Sequence, residues 1–199
     1  MTARNGRILL LSGAFLAGLV ICFAVVAIVT GRMAAPVAQQ IAAIGGPFTL
    51  TDQNGGTVTD RDLKGRPFLV FFGFTHCPDV CPTTLFEVSQ ILRALGPDAD
   101  RVRALFITVD PERDTPASMK DYLSSFDPHL AGLTGDTAAV AAVAKAYRVY
   151  YKKVPLDQGG YTMDHTAIVY LMDKEGRFVS PFSLKRTTEA AAADLRRYM

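Results

Sequence analysis

The sequence predicts an α/β domain, a mixed sheet with helices on both faces, with a β-hairpin at its start and one transmembrane helix before it. Three observations carry this expectation. Phe68 to Phe74 and "RVRALFITVD" are apolar runs of the kind that strands show when both faces are buried. Segments with helical spacing alternate with these runs. Ile8 to Val29 is an uncharged stretch of 22 residues, and at about 1.5 Å per residue it covers a hydrocarbon core of roughly 30 Å.

The first elements divide the chain into a cytoplasmic N-terminus (1–7), a membrane anchor (8–29), a linker (30–46) and a folded domain (47–199). Signal peptides have apolar regions of only about 7–15 residues, so the longer run favours a retained anchor. The "MAAPVA" that follows leaves cleavage open. Cys22 is preceded by Val20 and Ile21, where lipoprotein processing needs small residues, so it reads as an inert membrane thiol. Arg4 and Arg7 favour an N-terminus inside the cell and a domain outside the cytoplasm, in the periplasm of a Gram-negative bacterium. Thiols in that compartment face oxidation unless they are redox-active or metal-bound.

Within the domain, "PFTLTDQNGGTVTDRDLKGRP" alternates on either side of an Asn54-Gly55-Gly56 turn and predicts a hairpin. The strand at 68–74 leads into a helix over 82–95, with Leu85, Val88, Ile91, Leu92 and Leu95 on one face. After "RVRALFITVD", Asp114 or Thr115 caps a helix that has Pro116 in its first turn and runs to about Phe126. "HLAGLTG" predicts a short strand, Thr137–Tyr147 a helix and "VYYKKVP" an extended piece. "HTAIVYLMD" and "RFVSPFSL" flank a Lys174-Glu175-Gly176 turn as a second hairpin, and Thr187–Tyr198 closes the chain as a helix.

Composition excludes several classes. The net charge of +2 comes largely from the acid-free first 46 residues, and the remaining 18 basic and 19 acidic residues nearly cancel. No basic stripe supports nucleic-acid binding. With three cysteines in 199 residues, the chain is no disulfide scaffold.

The chemistry concentrates in "FFGFTHCPDVCPTTL". With a helix from Val80 onward, Cys81 lies in its first turn and Cys77 just before it, so both sulfurs share one face. The helix N-terminus favours anions, which predicts lowered pKa values for both thiols. Two such thiolates can form a disulfide or hold a soft ion, Cu(I) or Zn(II). Structural zinc takes four ligands, and the domain has only two cysteines and three histidines. That scarcity argues for fewer ligands and a more open site. His165, at the start of the strand "HTAIVYLMD", is the candidate third ligand, because ligand chemistry in α/β sheets collects at strand ends. His76 is expected to point away from the pair, and His129, after the turn signal "FDP", reads as a surface-loop residue.

Together, "GFTHCPDVCPTTL", "TVDPERDTP", "YRVYYKKV" and "DHTAIVYLMD" resemble the Sco (SenC/PrrC) family over roughly residues 47–199. Members are thioredoxin-fold, membrane-tethered copper chaperones of cytochrome c oxidase assembly. The resemblance implies a thioredoxin-like fold and one copper ion per chain, as Cu(I) or Cu(II), held by Cys77, Cys81 and His165. It implies copper delivery to the copper-A site of oxidase subunit II, or reduction of that subunit's cysteines. Other periplasmic copper chaperones and thiol reductases are further implied partners. "DPERDTP" reads as a turn and a capped helix start, with Arg113 and Asp114 placed to shape the loop beside the site.

Rival readings stay open at this level. A tethered thiol–disulfide oxidoreductase would cycle Cys77 and Cys81 as the redox pair, although thioredoxins use CxxC and carry a cis-proline where this chain has His165. A peroxidase would use Cys81, but Pro78 stands where its catalytic threonine belongs. A copper or redox sensor signalling through the anchor is a third class. An enzymatic role is therefore undecided, with a metallochaperone ranked first.

Overall fold

The computed structural model describes residues 16–28 and 44–199. Residues 16–28 form an exposed helix, α1. The rest of the predicted anchor, residues 8–15 and 29, and most of the linker lie outside the described residues. Among the described residues, no helix is long and apolar enough to cross a membrane.

Residues 44–199 fold as one compact unit. Its seven-stranded sheet has the order β2-β1-β5-β4-β3-β8-β9, and β6 and β7 form a separate two-stranded ribbon. The strands are β1 (Thr49–Asp52), β2 (Thr57–Thr59), β3 (Phe68–Gly73), β4 (Arg103–Thr108), β5 (Leu130–Thr134), β6 (Tyr151–Pro155), β7 (Tyr161–His165), β8 (Val169–Met172) and β9 (Phe178–Pro181). The helices of the unit are α2 (Val80–Leu95), α3 (Pro116–Leu123), α4 (Thr137–Ala146) and α5 (Thr188–Arg196). The expected strands and helices follow in order, with β7 as an additional strand before β8.

The apolar runs occupy the centre, as continuous hydrophobicity requires. β3 is buried along its whole length and pairs in parallel with β4, which pairs in parallel with β5. β8 flanks β3 antiparallel on the other side. Alternate residues of β3 serve opposite layers. A Cβ on Gly73 would meet Phe106 of β4 and Cys81 of α2, whereas Phe72 packs on Tyr147 at the end of α4. Helices thus cover both faces.

Aspartates organise the two predicted turns. The Asp52 carboxylate accepts the Asn54 and Gly56 amides at 2.8 Å each, closing the β1–β2 hairpin. Asp173 does the same for Glu175 and Arg177 at 3.0 and 2.9 Å. The first hairpin joins the main sheet through antiparallel pairing of β1 with β5. Ordered packing begins before Pro47: the Gly45 amide donates to the Ala146 carbonyl at 2.9 Å.

Two expectations need correction. His165 does not start a strand; it ends β7, and β8 begins only at Val169. Residues 161–165 find their partners in β6, with Tyr151 opposite His165, and hydrophobic pattern alone does not identify a strand's partner. The helix after Thr115 stops at Leu123 rather than near Phe126. His129 is only partly exposed, and its ring lies 2.7 Å from Asp127 and 3.2 Å from Asp100.

That arrangement makes a pH prediction. The Asp127 carboxylate beside His129 raises its pKa, aided by Asp100 and opposed by burial. An unfolded imidazole titrates near about 6.5. The stabilisation is therefore complete below that pH and is lost as pH rises through the higher folded-state value. The stability difference between the parent and His129→Gln in urea should shrink between about pH 6 and about pH 8. A difference that stays constant over that interval would show that the ring contributes no proton-linked stability.

Candidate metal centre

The site is built where the buried strand β3 hands over to α2. Gly73 ends the strand, residues 74–79 form a loop, and α2 starts at Val80. The Asp79 side chain makes no capping bond at this helix start. Instead, the Cys81 amide, one of the first-turn donors without an intrahelical partner, donates to Cys77 Sγ at 3.4 Å. The spacing of four residues thus places one sulfur over the helix N-terminus and the other inside its first turn.

His165 arrives from the β6–β7 ribbon. Its Nε2 lies 3.5 Å from Cys81 Sγ. Its Nδ1 lies 3.2 Å from the Thr166 carbonyl oxygen, which only accepts, so Nδ1 carries the proton and Nε2 presents a lone pair to the sulfurs. The ring stands edge-on to Phe71 and Phe74, with centroids 6.2 and 5.8 Å away. The ligand atoms of Cys77, Cys81 and His165 all lie within 4.8 Å of one another, a group that could hold a metal ion. The predicted trio is therefore brought together. His76 stays outside it, its side chain 54% exposed and its Nδ1 3.0 Å from Thr75 Oγ1.

The electrostatics differ from expectation at Cys81. Burial pushes its thiol pKa up rather than down, and the neighbouring Cys77 adds to the rise. Cys81 is fully buried, and desolvation of a thiolate there outweighs the helix N-terminus. Burial also lowers the His165 pKa, which keeps the imidazole neutral and its lone pair free. Entry of a metal would therefore release a proton from Cys81 and none from His165. Two sulfurs and one imidazole form a soft donor set, suited to copper or zinc and unsuited to magnesium or calcium. A recess of about 230 Å³, lined by Phe74, Cys77, Val80, Met163 and His165 among others, leaves the group accessible from one side.

Comparison with known proteins places this geometry. The SCO1/SenC family model matches residues 36–199. The chain belongs to that family. It is 43% identical over 162 residues to the mitochondrial SCO2 homologue of Bos taurus, covering 79% of this chain and 61% of the relative. It is 42% identical to the mitochondrial SCO1 homologue of Homo sapiens, covering 78% of this chain and 53% of the relative. The chain thus spans only part of the length of these relatives. Among solved structures, the copper-bound ScoI of Bradyrhizobium japonicum is 72% identical, with a TM-score of 0.78 over 79% of this chain and 100% of that one. Yeast Sco1 with copper bound is 37% identical, with a TM-score of 0.72 over 78% and 88%. These neighbours support the expected mixed α/β, thioredoxin-like fold, here with the β1–β2 hairpin at its start.

The residues around the ligands were less legible. Asp114 is fully buried and accepts from the Thr75 amide at 3.1 Å, Thr75 Oγ1 at 2.6 Å and Thr108 Oγ1 at 2.6 Å. It therefore shapes the cysteine loop, as expected of "DPERD". Thr115, not Asp114, caps α3. Gly73 carries no local sequence signal for its role. A Cβ on Gly73 would sit 2.7 Å from Cys81 Sγ and 2.6 Å from the Phe106 ring. Gly73→Ala should therefore displace Cys81 and lower stability by about 1–3 kcal/mol, the range for overpacked cores. The measurement is the midpoint of urea unfolding, and an unchanged midpoint would mean that the neighbours yield at no cost.

Proposed function

We propose that this chain binds one copper ion through Cys77, Cys81 and His165 and serves the assembly of cytochrome c oxidase. The observation that carries this reading is the convergence of two sulfurs and a neutral imidazole within 4.8 Å, in a chain 72% identical to a copper-bound ScoI. Two thiolates suit Cu(I), and the imidazole extends the site to Cu(II). Three protein ligands leave a position for an incoming thiolate, so the ion can move by ligand exchange. The recipient in this reading is the copper-A site of oxidase subunit II.

The test is copper stoichiometry and affinity. Four ligands of a structural metal are worth about 10–16 kcal/mol, so one carries roughly 3 kcal/mol, or about a hundredfold in affinity. Cys77→Ser and Cys81→Ser should each lose Cu(I) by about that factor in competition titrations. His165→Ala should weaken Cu(II) more than Cu(I). Wild-type stoichiometry and affinity in both cysteine variants would sink the proposal.

The proximity of the two free sulfurs supports a second reading. Cys77 and Cys81 could give up two protons and two electrons to a partner disulfide, reducing it and forming their own. Mass mapping after incubation with such a disulfide should find the internal pair, two hydrogens lighter. Persistently free thiols would remove this reading.

We further propose that residues 8–29 anchor the domain at the outer face of the cytoplasmic membrane. The uncharged length and the leading arginines support this. N-terminal sequencing of membrane-extracted protein should find a terminus upstream of Ile8, whereas one near Ala34 or Ala35 would refute the anchor.

A further inference from the structure

The segment Asp110–Asp114 touches both halves of the metal centre, though none of its side chains belongs to the ligand group. On the cysteine side, Asp114 holds Thr75, two residues before Cys77. On the histidine side, Arg113 Nη1 donates to the Tyr161 carbonyl at 3.1 Å, and its guanidinium carbon lies 3.9 Å from the centroid of the Tyr161 ring. The Tyr161 hydroxyl donates to Asp110 at 2.9 Å, and Asp110 also pairs with Arg113 Nε. Glu112 grips the other strand of the ribbon, accepting from Lys153 Nζ at 2.8 Å. Lys153 Nζ in turn lies 4.2 Å from the Tyr161 ring centroid, so the ring is in contact with two cations.

This matters because the ribbon has no ladder bonds to the main sheet. Its base is closed by its own bonds, Thr166 N to the Tyr150 carbonyl and Tyr150 N to Thr166 Oγ1. Those bonds shape the ribbon but do not attach it. Packing of His165 on Phe71 and Phe74 holds the ring without directing it. Apart from the contact of His165 Nε2 with Cys81 Sγ, the hydrogen bonds that tie β7 to the segment after β4 among the described residues are those to Arg113 and Asp110, at its first residue, four before His165.

We propose that Asp110–Asp114 is a two-sided clamp that sets the separation between the cysteine sulfurs and the His165 imidazole, with Arg113 as the positioning residue on the histidine side. The two sulfurs ride on α2 and the loop before it, and the imidazole rides on a ribbon that packs on the core through Met163 and takes its polar ties to the β4–α3 segment through Arg113, Tyr161 and Lys153. Loosening Arg113 converts a three-ligand site into a two-sulfur site. The copper part of this inference rests on the function proposed above; the mechanical part does not.

The test uses the full chain with Arg113→Ala, Tyr161→Phe, His165→Ala and the Arg113→Ala/His165→Ala double variant. Tyr161→Phe keeps the Asp110–Arg113 pair, so it reports even if Arg113→Ala folds poorly. In the metal-free protein, the amides of residues 162–165 should exchange faster in Arg113→Ala and Tyr161→Phe, while those of β3 stay protected. With copper, Arg113→Ala should lose about tenfold or more in Cu(II) affinity, as residues supporting a ligand do. It should lose less than about threefold in Cu(I) affinity, and its Cu(II)–thiolate absorption should shift towards that of His165→Ala. The double variant should bind Cu(II) no more weakly than His165→Ala alone. Unchanged amide exchange, equal losses of Cu(I) and Cu(II), or additive losses in the double variant would each overturn the clamp. A parent protein whose copper binding ignores Cys77 and Cys81 would instead overturn the copper reading, and amide exchange would still decide the clamp.

Discussion

The buried Asp114 is the tie on which the geometry of this domain depends. Its carboxylate accepts from Thr75 beyond β3 and Thr108 at the end of β4, and its carbonyl accepts from Thr134 at the end of β5 at 2.7 Å. One residue thus holds together the C-terminal ends of three parallel strands. A carboxyl group without partners in that interior would carry a large desolvation cost, and the converging hydroxyls and amide offset it. Threonine suits the strand positions twice over, since its branched side chain favours extended backbone and its hydroxyl reaches Asp114, at the carboxylate from Thr108 and at the carbonyl from Thr134.

From that tie the site follows by short steps. Thr75 fixes the loop that contains Cys77, and Gly73 leaves room for Cys81 against Phe106. The helix N-terminal amide then meets sulfur where a capping oxygen usually stands. The same tight packing that creates the site also disfavours charge on Cys81 and His165. Burial raises the Cys81 pKa and lowers that of His165. The metal-free centre is therefore a thiol facing a free imidazole lone pair rather than an ion pair. Charge enters such a centre together with a cation, which makes metal binding and proton release one event.

The sequence made the elements legible where a single local rule governed them. The continuous apolar runs marked β3 and β4, and the turn residues after Asp52 and Asp173 marked both hairpins. The cysteine spacing before an amphipathic run placed both sulfurs on one helix start. The strand-end argument and the family resemblance both point to His165, but the sequence places it at the start of the wrong strand. "YTMDH" pairs with "YKKVP" through backbone bonds, and its side chains alternate without a strong apolar face. Nothing local distinguishes such a ribbon from the lead-in to β8. The Cys81 pKa departs from the sequence expectation for a related reason. The helix N-terminus is visible in the sequence, but the depth of burial that overrides it depends on Gly73 and Phe106, contributed by two different strands.

The distribution of the ligands over the fold has a chemical logic. Cys81 sits fully buried in the first turn of α2, where displacement would disturb the core, and Cys77 lies at the edge of that core beside the recess. The imidazole sits on a ribbon tied to the sheet through charged and aromatic contacts at the surface. Soft thiolates satisfy Cu(I) largely by themselves, whereas Cu(II) gains more from nitrogen. Under the proposed copper reading, a carrier built this way would keep its grip on the reduced ion in the part continuous with the core. In that reading His165, the residue proposed to favour Cu(II), lies on the ribbon that has no ladder bonds to the main sheet. Changing the oxidation state of the ion then alters how strongly the ribbon is held, and holding the ribbon alters which state is preferred, because the two are linked in a single binding equilibrium.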